Sequence, residues 1–359
     1  MHLILAIIAI PLSLLLVIGI HELGHALAAH WFKISIKSIA IGFGRPLCRW
    51  QDHSGREWIW GLWPLGGYVH LLNTRITPVA RKDLPLCFDK KPIWIRIIVL
   101  VSGAGANILM AWVALTTVFL LGYPQTEPVI ASVQAHSIAA QAHVQPGDKW
   151  IAIAHHPTPS WQVVGMQLLA NLGHAHIAVT VCGTTGQYRH LSLDLTHWQS
   201  SGQSRSLLSS IGIEPDNSAE YQRNIPGIPL VSAIQQTWVA LAELIRFYMI
   251  TIKQLITGKI LFLFLLGPVS ILMTMIDSFL QGLVVFLLFI SHLSLAVALV
   301  NLLPVPTLDG GSIVYALLEK VRGKPISIAL ELLLHRLIFI ALSVLFINLV
   351  LNDLQRYFG

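Results

Sequence analysis

Charge is what this chain has least of. Asp, Glu, Lys and Arg make up 11% of its 359 residues, where soluble domains carry about 25%. That shortage excludes an ordinary soluble globule. With 55% hydrophobic residues, it points to a polytopic α-helical membrane protein. Acidic residues are outnumbered by basic ones, 17 to 23. No long basic run or nucleic-acid motif accompanies that surplus, so nucleic acid is not an expected partner and the bilayer is. Cysteine is nearly missing. Cys48, Cys87 and Cys182 are odd in number and show no paired spacing, so neither a disulfide framework nor a cysteine zinc site is indicated. No Lys or Arg precedes Lys33, and the first apolar run ends at no cleavage site, so a removable signal peptide is not expected.

What is there is a set of long apolar runs. Four are predicted to span a membrane, at about 3–31, 93–122, 281–303 and 329–350. The loop 32–92 holds ten Lys and Arg in 61 residues, and the segment 123–260 holds seven in 138. The positive-inside tendency then makes the loop cytoplasmic and the long segment extracytoplasmic. A fifth run, about 258–276, is short and interrupted by Gly267-Pro268. It is predicted to be packed or re-entrant. Were it to span, residues Asn301 to Asp309 would open on the far side from His21 and His25.

Inside the first span lies His21-Glu22-Leu23-Gly24-His25. Two imidazoles four residues apart are separated by about 40° around a helix, so both can reach one Zn²⁺, with a carboxylate beside them. Metal ligands and charges at membrane depth are costly and signal function by default. A catalytic zinc needs three protein ligands and an open position for water. His21 and His25 supply two, and Glu22 is placed as general base. His30 is about 140° from His25 and points elsewhere. The best remaining carboxylate is Asp309, in Asn301-Leu302-Leu303-Pro304-Val305-Pro306-Thr307-Leu308-Asp309-Gly310-Gly311. There two prolines break a helix, and two glycines are expected to let the backbone turn around the aspartate. Taken alone, Asp309 also suits the N-cap of the following helix.

Two ordered motifs, H-E-L-G-H near the N-terminus and N-x-x-P-x-P-x-L-D-G at 301–310, flank an extracytoplasmic segment. That arrangement resembles the site-2 protease family of intramembrane metalloproteases across almost the whole chain. The resemblance implies that Asp309 completes a zinc site with His21 and His25. Glu22 would then activate water to cut transmembrane segments of single-pass proteins. Gly103-Ala104-Gly105-Ala106-Asn107 looks like the family's G-P-x-x-N motif, with Ala104 in the proline's place. By resemblance, Asn107 and Asn301 hold substrate backbone; either residue could instead hydrogen-bond a neighbouring helix. Ser35 to Trp60 alternates apolar and polar residues between glycines, as hairpins do. The stretch from Gly42 and Gly44 to Gly66 and Gly67 resembles the family's membrane-associated β-region, whose edge strand pairs with extended substrate.

Residues 126–213 have the composition of a small α+β domain. Strands are predicted at Val129-Val133, Trp150-Ala154, Ala178-Cys182 and His190-Leu195, around a helical patch near 162–172. Pro128-Val129-Ile130, Ser137-Ile138-Ala139-Ala140 and Pro146-Gly147-Asp148-Lys149 resemble a bacterial-type PDZ domain. Eight histidines between His136 and His197 are expected to be solvated surface residues.

The expected organisation is a membrane core at 1–122, a PDZ domain at 126–213, a linker and amphipathic segment at 214–256, and a second membrane core at 257–359. The family resemblance further implies a bacterial inner membrane, a periplasmic PDZ domain and a zinc site toward the cytoplasm. Its implied substrates are an anti-sigma factor or remnant signal peptides, trimmed first by a site-1-type protease. A non-catalytic PDZ scaffold with a vestigial metal site is the alternative. Glu22 weighs against it, because a binding protein needs no base beside its zinc.

Overall fold

The computed structural model describes residues 2–53, 55–196, 198, 206–258 and 265–358. Helix α1 (His2–Leu14) passes through a π-helical turn, Leu15–Gly19, into α2 (Ile20–Trp31), followed by strands β1 (Ile36–Gln51) and β2 (Glu57–Leu71) and the long helix α3 (Ile93–Leu121). Then come β3 (Gly122–Thr126), β4 (Ile130–Val133), α4 (Ile138–Gln141), β5 (Lys149–Ile153), β6 (His156–Pro157) and α5 (Trp161–Ala170). Strands β7 (Ile177–Cys182) and β8 (Tyr188–Leu193), helix α6 (Leu207–Ser210), and strands β9 (Ile213–Pro215) and β10 (Gln222–Pro226) complete the middle of the chain. Five helices end it: α7 (Leu230–Ile256), α8 (Pro268–Leu280), α9 (Leu283–Asn301), α10 (Asp309–Arg322) and α11 (Ile328–Phe358).

Four helical stretches among the described residues are long and apolar enough to cross a membrane: Ile8–Trp31, Ile93–Leu121, Leu283–Asn301 and Ile328–Gln355. These are the four runs expected from hydropathy. Of the fifth run, residues 259–264 lie outside the described residues, and the rest enters α8. With 13 residues, α8 is about 20 Å long, short of the ~30 Å hydrocarbon core.

The chain divides into two compact units. The first comprises Met1–Thr117 and Leu272–Phe346. In it β1 and β2 each fold back on themselves. Ile39 pairs with both Val69 and Trp58, while Trp50 also pairs with Trp58. The first half of β1 therefore lies between the two halves of β2, and four short segments run side by side. Gly42 and Gly44, at φ 87° and 86°, sit where β1 folds, and Gly66, at φ 120°, sits where β2 folds. These left-handed values are open to glycine at little cost. Buried Ala26 and Ala29 of α2, Ile36 and Ile39 of β1, and Val99 of α3 form one apolar cluster, which seats the β-region on the two helices.

The second unit comprises Val118–Ile271 and Ile347–Gly359. Its four-stranded sheet has the order β6-β5-β7-β8, and β4 pairs with β9. Trp150, Ile153, Val179, Val181 and Leu193 of the sheet pack on Val164 and Leu168 of α5. Part of the polar stretch 214–227, read from the sequence as a linker, forms β10, which pairs antiparallel with β3. At the end of that ladder Glu127 binds Lys149 Nζ at 2.8 Å and Arg223 Nε at 2.6 Å. His136, His143, His155 and His176 occupy left-handed turn positions, with φ between 53° and 66°, so these four are turn residues. His197 lies outside the described residues.

Candidate metal centre

Helix α2 sets His21 and His25 one turn apart, and their Nε2 atoms lie 3.2 Å from each other. Asp309, the first residue of α10, brings Oδ2 to 3.2 Å from each of those nitrogens. The three donor atoms thus form a triangle with equal edges. Ligands held tetrahedrally at 2.0–2.1 Å from zinc sit about 3.3 Å apart. The triangle has the size such an ion needs.

The proton bookkeeping agrees with the geometry. His25 Nδ1 lies 2.7 Å from the Val99 carbonyl, which can only accept, so Nδ1 carries the proton and Nε2 presents a lone pair. That lone pair faces Asp309 Oδ2, which is buried and has no hydrogen-bond partner. Buried acceptors turned toward one another are unfavourable unless a cation or proton joins them. Among the described residues, His21, His25 and Asp309 are the group of His, Cys, Asp and Glu side chains that could hold a metal ion.

Glycines make the approach possible. A Cβ added at Gly103 of α3 would overlap the His25 ring and crowd His21 Cε1, and one at Gly24 would overlap the Ser102 carbonyl. Helices α2 and α3 therefore touch backbone to backbone where the histidines reach across. Gly310 and Gly311 differ from expectation. Neither turns the chain through a left-handed value. They lie inside α10 because a Cβ would overlap the carbonyls of Leu302, Leu303 and Val305. The left-handed residue is Thr307, at φ 87°, the kind of strain that collects beside functional sites. The N-cap of α10 is Leu308, with no side-chain cap, so the Asp309 carboxylate is directed at the histidines. His30 is exposed, away from the centre.

Glu22 is 7% exposed. A Cβ at Gly67 would stand 2.9 Å from Glu22 Cγ, and the Val69 amide faces the Glu22 carboxylate. The outer edge of the segment Gly67–Leu71 therefore runs beside Glu22. Asn107 is fully buried, with Nδ2 3.4 Å from His21 Nδ1. Asn301, the last residue of α9, donates to its own helix at the Val297 carbonyl, 3.0 Å away. Gly42, Gly44 and Gly66 serve the folds in the β-region. Sequence reasoning did not single out the Val99 carbonyl, Gly24 or the Val69 amide. Only Gly24 left a signal: a small residue between two candidate ligands.

This fold and site define a class, a metallopeptidase with its centre among helices able to span a membrane. The chain matches Peptidase family M50 over residues 9–346, and it belongs to that family. It is 27% identical over a 440-residue alignment to the "Regulator of sigma-E protease RseP" of Salmonella typhimurium strain 14028s, covering 97% of this chain and 98% of that protein. The protein of the same name from Escherichia coli K12 is 27% identical over 435 residues, covering 94% and 96%. The "Regulator of sigma E protease" of Haemophilus influenzae is 26% identical over 431 residues, covering 96% and 97%. Peptidases of this family depend on zinc. The chain is a zinc metalloprotease, a hydrolase.

Proposed function

We propose that the chain cuts transmembrane segments of single-pass proteins within the bilayer, with His21, His25 and Asp309 as zinc ligands and Glu22 as general base. The observation that carries this reading is the 3.2 Å triangle of donor atoms with a buried carboxylate beside it. Zinc held by His21, His25 and Asp309 would lower the pKa of a water from 15.7 to roughly 7. Glu22 takes the proton of the attacking water and delivers it to the leaving amide nitrogen. The Val69 amide orients Glu22 for both transfers.

A peptide bond inside a helix is shielded by its own hydrogen bonds, so the substrate must first unwind. Adding it as a strand along the edge Gly67–Leu71 replaces the lost backbone bonds. Gly67 keeps that edge close to Glu22, and Gly42, Gly44 and Gly66 shape the sheet that carries it. Asn301 is assigned to substrate backbone by family resemblance.

We read residues 126–213 as a PDZ domain. Its support is the packing of α5 on the sheet and the turn at Gly147, where buried Asp148 binds the Gln145 amide and Arg189. The segment has room for one such domain. The host is a bacterial inner membrane, with the PDZ domain periplasmic and the zinc site toward the cytoplasm, as the Lys and Arg distribution suggests. Anti-sigma factors or remnant signal peptides, shortened first by another protease, are the proposed substrates. Glu22→Gln tests the reading in reconstituted vesicles with a single-pass substrate. Cleavage should fall by about 10²- to 10⁴-fold while bound zinc is retained. Cleavage at the wild-type rate would remove Glu22 from the mechanism.

A further inference from the structure

Asn107 lies on α3 one turn beyond Gly103 and has no exposed surface. Its Nδ2 is 3.4 Å from His21 Nδ1, and its Oδ1 is buried with no partner. His21 turns Nε2 toward His25 and Asp309. For that nitrogen to offer a lone pair to an ion, the ring proton must sit on Nδ1. An N–H facing an NH2 sets donor against donor. The two ends of an asparagine amide have nearly the same shape, and a half-turn about Cβ–Cγ exchanges them. The exchange seats Oδ1 on the Nδ1–H of His21 and leaves the NH2 as the unpaired end.

We infer that Asn107 is a positioning residue for the metal centre, whose Oδ1 accepts from His21 Nδ1–H and fixes the ring in its metal-binding tautomer. This rests on the zinc reading above and differs from the substrate-holding role that family resemblance suggests for Asn107. It gives both histidines the same support. The Val99 carbonyl orients His25, and the Asn107 carbonyl, two turns further along α3, orients His21. Acceptors in such positions typically contribute 10- to 100-fold to metal affinity. A substrate clamp needs the NH2 of this amide, whereas the positioning role needs its oxygen.

The test is the zinc dissociation constant of the purified full chain, read by competition with a chromophoric chelator, together with the visible spectrum of the Co²⁺-loaded protein. Asn107→Leu should weaken zinc 10- to 100-fold. Asn107→Ala, which removes the acceptor without adding bulk, should do the same. Asn107→Asp keeps an acceptor and loses the NH2; it should retain near-wild-type affinity and the wild-type cobalt spectrum. Wild-type affinity in the Leu and Ala variants, or equal losses in all three, would overturn the inference. Asp309→Ala runs alongside. If it leaves zinc binding unchanged, the ligand assignment fails; if it abolishes binding, a negative result at Asn107 bears on Asn107 alone.

Discussion

Two glycines two positions apart on α3 have opposite surroundings. Gly103 lies under both histidine rings, while a Cβ at Gly105 would meet nothing within 4 Å. Gly103→Ala should therefore strip the protein of zinc, or push α2 and α3 apart, whereas Gly105→Ala should keep full zinc content. Metal analysis of the two purified variants checks this, and equal content would contradict the packing. The sequence names both glycines in one motif but does not separate them, because it carries no information on which helix face meets the histidines. That His21 and His25 share one helix face was legible because their spacing of four residues sets it. The Val99 carbonyl was not, since any residue supplies a carbonyl.

Among the elements, α10 matters most because its first residue is Asp309. It is tied to α3 by Glu319, which meets the buried Arg96 guanidinium at 2.9 Å. At the start of α11, Arg75 reaches the Ile326 carbonyl and Glu331, each at 2.8 Å. Arg96→Met should loosen α10 and weaken zinc binding several-fold without removing a ligand, as the chelator competition would report. Unchanged affinity would mean that Pro304 to Gly311 holds Asp309 unaided. The start of α8 offers a contrast in the other unit. Asp353 accepts from the Gly267 and Ser270 amides and from the Ser270 hydroxyl, at 3.2, 2.8 and 2.6 Å. Asp353→Ala removes the acceptor these buried donors share, a loss of about 1–3 kcal/mol. The variant should melt at a lower temperature while binding zinc normally.

Alternating residues and glycines foretold hairpins after Ser35, but not that each strand folds back on itself, although Gly42, Gly44 and Gly66 mark the folds. The β3–β10 ladder escaped the sequence altogether. Its strands are far apart in the chain, polar and short, and only the tertiary fold makes them partners.

At the scale of the whole molecule, the apolar runs were the clearest signal, since a bilayer imposes length and composition on any helix that crosses it. That Asp309 joins His21 and His25 was legible through the order of two motifs, not through any local property of residue 309. If the substrate must unwind onto the edge Gly67–Leu71, its helix stability should govern the rate. Leucines inserted around the scissile bond should slow cleavage in vesicles, and helix-breaking residues should speed it. Indifference to both changes would mean that substrate is cut without unwinding.

X-ray absorption at the zinc edge addresses the metal centre most directly. The wild-type protein should hold one zinc per chain bound by two imidazole nitrogens and a carboxylate oxygen, at about 2.0–2.2 Å. Asp309→Ala should lose the metal or replace that oxygen with water. One tightly bound zinc with an unchanged ligand shell in a His21→Ala, His25→Ala, Asp309→Ala triple variant would contradict the account.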